Sequence, residues 1–168
     1  MNRATAQRLL ALTFGLFVCV SVDQATKAVA RSQLSATEPR FFLNGLVRLQ
    51  YAENSGAFLS LGAGLPAPVQ SWLFIALVPL VLVGLLYFVL KDARHISLPM
   101  LIASALLLGG GIGNLIDRVL NEGRVIDFMV VGYGWLHTGI FNVADMAIMA
   151  GVILLALTSF RTAKSPAA

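Results

Sequence analysis

Residues 140–160, "IFNVADMAIMAGVILLALTSF", form an apolar run that matches the roughly 20 residues a helix needs to cross a bilayer. One carboxylate, Asp145, stands near its start, with Asn142 three residues earlier and no cation within a helical turn. A charge in the middle of a membrane costs about 2.5–3.5 kcal/mol or more, so such residues face protein or water and are functional by default. Asp145 therefore demands partners from other parts of the chain.

The composition sets the surroundings. Of 168 residues, 58% are hydrophobic and 12% charged, and the mean hydropathy is +0.82. Soluble domains carry about 25% charged residues, so the chain reads as a single membrane domain, 1–168. Three further apolar segments, about 9–28, 70–90 and 97–116, complete a prediction of four transmembrane helices. The first also has the outline of a cleavable signal peptide, with Arg3 and Arg8 ahead of a greasy stretch that ends in "AVA". Asp23 and Lys27 fall between that stretch and the cut, which argues against cleavage. Cys19 is the single cysteine, so no internal disulfide forms, and the bulky Phe17 and Val18 before it do not suit lipid attachment. It reads as a small buried hydrophobe.

Lysines and arginines divide evenly between the two sides of this layout, but Arg3, Arg8, Lys91, Arg94, Arg161 and Lys164 lie in the shorter segments. The positive-inside rule weighs short flanks most, which places both termini in the cytoplasm. The two long connections, about 29–69 and 117–139, then lie outside. "FFLNGLVRLQY" has a turn signal at Asn44-Gly45 followed by alternation of Val47, Leu49 and Tyr51 with Arg48 and Gln50. "GRVIDFMVV" is β-rich and leads into the turn-forming "GYGWLHTG". Together they predict a small β-rich element on the extracytoplasmic membrane surface. The tail after Arg161 reads as frayed. No basic stripe interleaved with aromatics points to nucleic acid.

Polar residues gather at the outer ends of the helices. Asp23 and Lys27 share a face, as do Gly110, Asn114 and Arg118, and Asn142 and Asp145. All three faces fall at similar depth. Each has a bland reading: an ion pair for Asp23–Lys27, interfacial snorkelling for Asp117–Arg118, close helix packing for the glycines at 109–111 and 113, a simple turn for "YAENSGAF", and the polar side of a surface strand for Asp127. Asp145 is the hardest to explain in such terms.

"SVDQATK" (21–27), "AENSGAF" (52–58), "GGGIGNLIDR" (109–118), "GRVIDF" (123–128) and "FNVADMAI" (141–148) together resemble the lipoprotein signal peptidases, signal peptidase II, in order and spacing over nearly the whole chain. The resemblance implies a bacterial inner-membrane aspartyl protease, and a monomer is expected. Its substrates would be diacylglyceryl-modified prolipoproteins, cut N-terminal to the lipidated cysteine. It puts catalytic aspartates at Asp127 and Asp145, and supporting residues at Asp23, Lys27, Asn54, Gly110, Asn114, Arg118, Asn142 and Ala144. The chain departs from the family pattern before Phe141, where "HTGIFN" replaces an aromatic-proline pair common among members. It also has one more residue than some members between Asp117 and Asp127.

Two aspartates can hydrolyse a peptide when one is ionised, to take a proton from water, and the other is protonated, to polarise the carbonyl. Such a dyad calls for no cofactor, and with only His95 and His137 in the chain a metal site has little support. Two other classes are consistent with intramembrane carboxylates. A small proton-coupled transporter would need polar residues through the whole depth, which the second and fourth spans lack. A non-enzymatic assembly factor would make the aspartates structural.

Overall fold

A computed structural model describes residues 3–56, 64–66, 69–70 and 72–163. Ala57 and Phe58 of "AENSGAF", and the tail from residue 164 on, lie outside the described residues. The chain forms α1 (Arg3–Gln33), β1 (Arg40–Phe42), β2 (Val47–Asn54), a π-helical turn (Trp72–Leu77) leading into α2 (Val78–Lys91), α3 (Leu98–Leu120), β3 (Val125–Tyr133), β4 (Leu136–His137) and α4 (Val143–Ala163). Among the described residues, three helices are long and apolar enough to cross a membrane: Arg3–Gln33, Trp72–Lys91 and Leu98–Leu120. Val143–Thr158 of α4 is a shorter apolar stretch. α1 extends past the predicted 9–28 at both ends, because its flanking turns contain no helix breaker. α2 opens on a widened turn because Pro79 cannot donate to the carbonyl one turn earlier. Pro99 sits harmlessly in the first turn of α3, where Ser97 accepts a hydrogen bond from the Met100 N–H at 3.4 Å.

The helices pack through small residues, as the glycine-rich "GGGIG" suggests. A Cβ on Gly109 would lie 2.7 Å from that of Cys19, and one on Gly113 would lie 2.5 Å from Asp23 Oδ2, while the Gly15 position faces Ala105. The register 15–105, 19–109, 23–113 advances in step, so α1 and α3 run parallel along a small-residue seam. α4 packs antiparallel on the other side of α3, with Gly110 against the Ala144 carbonyl and Gly151 against Ala103 and Leu107. At the end of the bundle near the N-terminus the core is apolar: Leu12, Val89, Ile96, Leu101, Ala105 and Leu108. Arg8 closes that end by donating to the carbonyls of Arg94 and Ile96, both at 2.8 Å.

The opposite end carries a four-stranded antiparallel sheet in the order β1-β2-β3-β4. Asn44 and Gly45 make the β1–β2 turn, with Asn44 at φ 56° and Gly45 at φ 92°. Between Leu49↔Met129 and Ala52↔Asp127, β2 has one residue more than β3, a bulge that reverses which residues face which side. Val47 and Leu49 share one face, which is that of Asp127, but Tyr51, expected to alternate with them, does not. It turns to the other face and its hydroxyl donates to Glu53 at 2.9 Å. Ala52 and Asn54 take the face of Asp127 instead.

Overpacking a helix seam costs about 1–3 kcal/mol. Gly109→Ala should therefore lower the thermal unfolding midpoint in nanodiscs. Gly84→Ala, with nothing within 4 Å of the added carbon, should leave it unchanged or raised.

Candidate active site

Four elements bring their polar residues to one place. Asp23 and Lys27 come from α1, Asn114, Asp117 and Arg118 from α3, Asn142 and Asp145 from the start of α4, and Asn54 and Asp127 from the sheet. All are buried, with Asp23, Asp127 and Asn142 at 0% exposure and Lys27 at 1%.

Local structure sets Asp145. Asn142 caps α4: its Oδ1 accepts the Asp145 N–H at 2.9 Å, and the Asp145 Oδ2 accepts the Asn142 N–H at 3.2 Å. This is a reciprocal capping box with a shorter acid in place of glutamate. It explains why "NVAD" can start a helix and aim a carboxylate at once. The positive end of the helix dipole favours an ionised group there. The preceding residues zip onto β3, with the Phe141 N–H donating to the Met129 carbonyl and the Met129 N–H to the Phe141 carbonyl, both at 2.9 Å. "HTGI" thus keeps the path to α4 in register: the Thr138 N–H bonds to the Val131 carbonyl at 2.9 Å, and the Val131 N–H donates to the Thr138 Oγ1 at 3.0 Å.

Asp127 stands two side chains from the same helix start. Its Oδ1 accepts from Asn142 Nδ2 at 2.7 Å and its Oδ2 from Asn54 Nδ2 at 2.8 Å. The Asn54 amide has one possible orientation, because its Oδ1 accepts the Gly56 N–H at 2.8 Å. Burial pushes the Asp127 carboxyl up to about 7, and the neighbouring Asp145 adds to the rise. Hydrogen bonds from Asn54 and Asn142 and the charge of Lys27 hold it from going further.

Behind the two aspartates sits Lys27. Its three protons meet three acceptors: Asp23 Oδ2 at 2.8 Å, Asn114 Oδ1 at 2.9 Å and Asp117 Oδ2 at 3.0 Å. Since the ammonium can only donate, Asn114 must turn its oxygen to Lys27 and its Nδ2 to Asp145 Oδ1, at 2.9 Å. Asp23 Oδ1 accepts the Ala144 N–H at 2.9 Å, so a carboxylate of α1 caps α4. Asp117 Oδ2 accepts the Ile126 N–H at 2.9 Å, tying α3 to the residue before Asp127.

The predicted site residues thus assemble together, with one correction. Asp117 and Arg118 do not snorkel to an interface: they are 2% and 6% exposed. The Arg118 guanidinium reaches the Gly56 carbonyl at 2.6 Å and lies 4.9 Å from the Phe74 ring. Its arginine stem is too well enclosed by the sheet and the π-helical turn to reach lipid. Gly110 and Ala144 contribute shape, the absence of a Cβ on one admitting the carbonyl of the other. Sequence reasoning missed Asp117 as a Lys27 ligand, and Gln24, whose Nε2 bridges Asp23 Oδ2 (3.2 Å), Asp117 Oδ1 (3.0 Å) and the Gly113 carbonyl (3.1 Å). The signal for Gln24 was its place three residues before Lys27 on a helix. No group of three or more His, Cys, Asp or Glu able to hold a metal occurs among the described residues. A cavity of about 370 Å³ opens beside Asp145, lined by Thr138, Phe141, Met146, Met149, Ala150 and Ile153.

Removing one partner from a buried ion pair costs about 3–5 kcal/mol. Lys27→Met, which strands Asp23 and Asp117, should destabilise the protein by that order in thermal unfolding. Lys27→Arg should not restore the loss, since a planar fork cannot meet three convergent acceptors.

The family model for signal peptidase (SPase) II matches residues 16–161. A lipoprotein signal peptidase of Pseudomonas putida is 39% identical over 162 residues, covering 94% of this chain and 91% of its own. That of Syntrophus aciditrophicus is 36% identical over 156 residues, covering 93% and 94%. A solved bacterial membrane enzyme, determined by the in meso method at 2.3 Å resolution, superimposes with a TM-score of 0.78 at 29% identity over 94% of this chain and 93% of the other. A membrane-embedded bundle with a buried, amide-braced pair of carboxylates, matched along nearly its whole length by this family, is a peptidase, and the chain belongs to the signal peptidase II family.

Proposed function

We propose that the chain removes signal peptides from diacylglyceryl-modified prolipoproteins, with Asp127 and Asp145 as the catalytic pair. The observation that carries the assignment is Asn142, which bonds to both carboxylates and holds them as one unit. Asp145, at a helix N-terminus and facing an amide polarised by Lys27, is the ionised base. Asp127, with its proton retained to about 7, is the acid.

Asp145 takes a proton from water as the oxygen attacks the scissile carbonyl carbon, and Asp127 gives its proton to the carbonyl oxygen. Collapse of the resulting diol breaks the C–N bond. The proton on Asp145 passes to the departing nitrogen, and Asp127 recovers its proton from the diol hydroxyl. The products are a signal peptide with a new carboxyl end and a lipidated cysteine with a free amine. The apolar cavity ending at Asp145 suits a greasy substrate that approaches from the bilayer. Arg118, ordered on Gly56 and Phe74, offers a fixed cation to substrate carbonyls or to a headgroup.

Four spans with both termini in the cytoplasm, in the inner membrane, put the site near the extracytoplasmic face. Arg8 and the 91–96 turn share the end opposite the site, in keeping with that layout.

Asp127→Asn and Asp145→Asn, each alone, should cut turnover of a lipidated precursor by about 10²–10⁴-fold. Thermal stability should change by no more than about 1–2 kcal/mol. A non-catalytic role predicts the reverse, lost stability with turnover retained. Because the protonated form of Asp127 is the active one, kcat should fall as pH rises through about 7. A pH–rate profile flat across that range would remove Asp127 from the acid role.

A further inference from the structure

Gln24 touches neither aspartate of the pair, yet it sits where their positions are decided. Its Nε2 faces two carboxylate oxygens and a carbonyl. All three only accept, so the amide nitrogen must point at them. The two carboxylates, Asp23 and Asp117, carry like charges and share one cation, Lys27. An amide donor between them offsets their repulsion and fixes their spacing. Each carboxylate then holds one catalytic element: Asp23 accepts the Ala144 N–H, one residue before Asp145, and Asp117 accepts the Ile126 N–H, one residue before Asp127.

We propose that Gln24 is a positioning residue for peptide hydrolysis, acting from the rear of the site by spacing the two carboxylates that hold Lys27. Through them it sets the starts of α4 and of the Asp127 segment, and through Lys27 and Asn114 the orientation of the Asp145 carboxylate. A cavity of about 230 Å³ between α1 and α3 exposes this rear side, lined by Gln24, Lys27, Arg31, Asp117 and Asn121 among others. It shares no lining residue with the apolar cavity beside Asp145. Changes at Gln24 therefore act on the chemistry without touching the substrate's side.

The inference rests on the aspartate-pair reading, which the two Asp→Asn variants test separately. If those stay active the pair itself is wrong; if they are inactive, Gln24 stands or falls alone. Gln24→Leu keeps most of the bulk and removes the donor. On a lipidated precursor in nanodiscs, kcat should fall about tenfold or more, the scale of leaving buried polar groups without their partner, with KM within about twofold. Gln24→Glu gives a second readout, because an ionised glutamate can only accept and a protonated one can donate. The ratio of its kcat to that of the wild type should rise as pH falls, in one preparation. A purely structural role would put that pH dependence into the thermal unfolding midpoint and leave kcat per folded enzyme at the wild-type value. Wild-type kcat in Gln24→Leu, a loss confined to KM, or a Gln24→Glu ratio that is flat or zero across the pH range would overturn the proposal.

Discussion

The contact on which the site depends is the one between the Lys27 ammonium and its three acceptors. An ammonium buried at 1% exposure is tolerable only when every proton is used, and here each one is. The consequence goes beyond stability. Lysine has no acceptor, so it removes the ambiguity from every amide downstream. Asn114 presents oxygen to Lys27 and nitrogen to Asp145, and Asn142 donates to Asn114 Oδ1 at 3.1 Å and to Asp127. Each amide in the network thus has a single workable orientation. A polar network in a low-dielectric setting is useful only if it is satisfied throughout, and the donor-only cation at its root imposes that order.

Two carboxylates around one cation leave a surplus negative charge. The fold compensates it with backbone N–H groups that are otherwise orphans. Ala144 is in the first turn of α4, where N–H groups have no intrahelical partner, and Asp23 accepts it. Ile126 gives its N–H to Asp117. The same bonds that neutralise the ion cluster therefore dock a helix end and a strand against it. This explains how the Asp127 and Asp145 carboxylates are held together by elements far apart in sequence: both elements are fastened to one buried ion cluster.

Much of this was legible in the sequence because helical spacing is a strict rule. Asp23 with Lys27, Asn114 with Arg118 and Asn142 with Asp145 each fall on one helix face, and the packed helices keep those faces together. The strands were legible too, from the Asn44-Gly45 turn and the alternation after it. What escaped depends on events that spacing does not encode. The bulge between Leu49 and Ala52 moves Tyr51 off the Asp127 face and brings Asn54 onto it. Alternation counted from Val47 would assign the two the other way. Asp117 and Arg118 look interfacial from their place at a helix end. They are buried because the sheet and the turn at Trp72–Leu77 fold over that end, a tertiary fact. Gln24 is ordinary in isolation and becomes significant only when Asp23 and Asp117, on different helices, are seen to flank it.

The division of the aspartates between a helix start and a surface strand also has a physical reason. In the proposed mechanism, the base that must stay ionised gains from a helix N-terminus, where oriented N–H groups supply stabilisation that lipid cannot. In the same proposed mechanism, the acid that must keep its proton gains from desolvation, and the fold covers Asp127 completely. Two aspartates on one helix face would share an environment and compete for the same donors. Placing one at the end of α4 and the other on β3, with Asn142 between them, lets the two environments differ while the groups remain joined. The bulge in β2 then matters for more than local geometry. By turning Asn54 toward Asp127 it supplies the second donor that holds this carboxyl near neutrality, where a proton can be both kept and given.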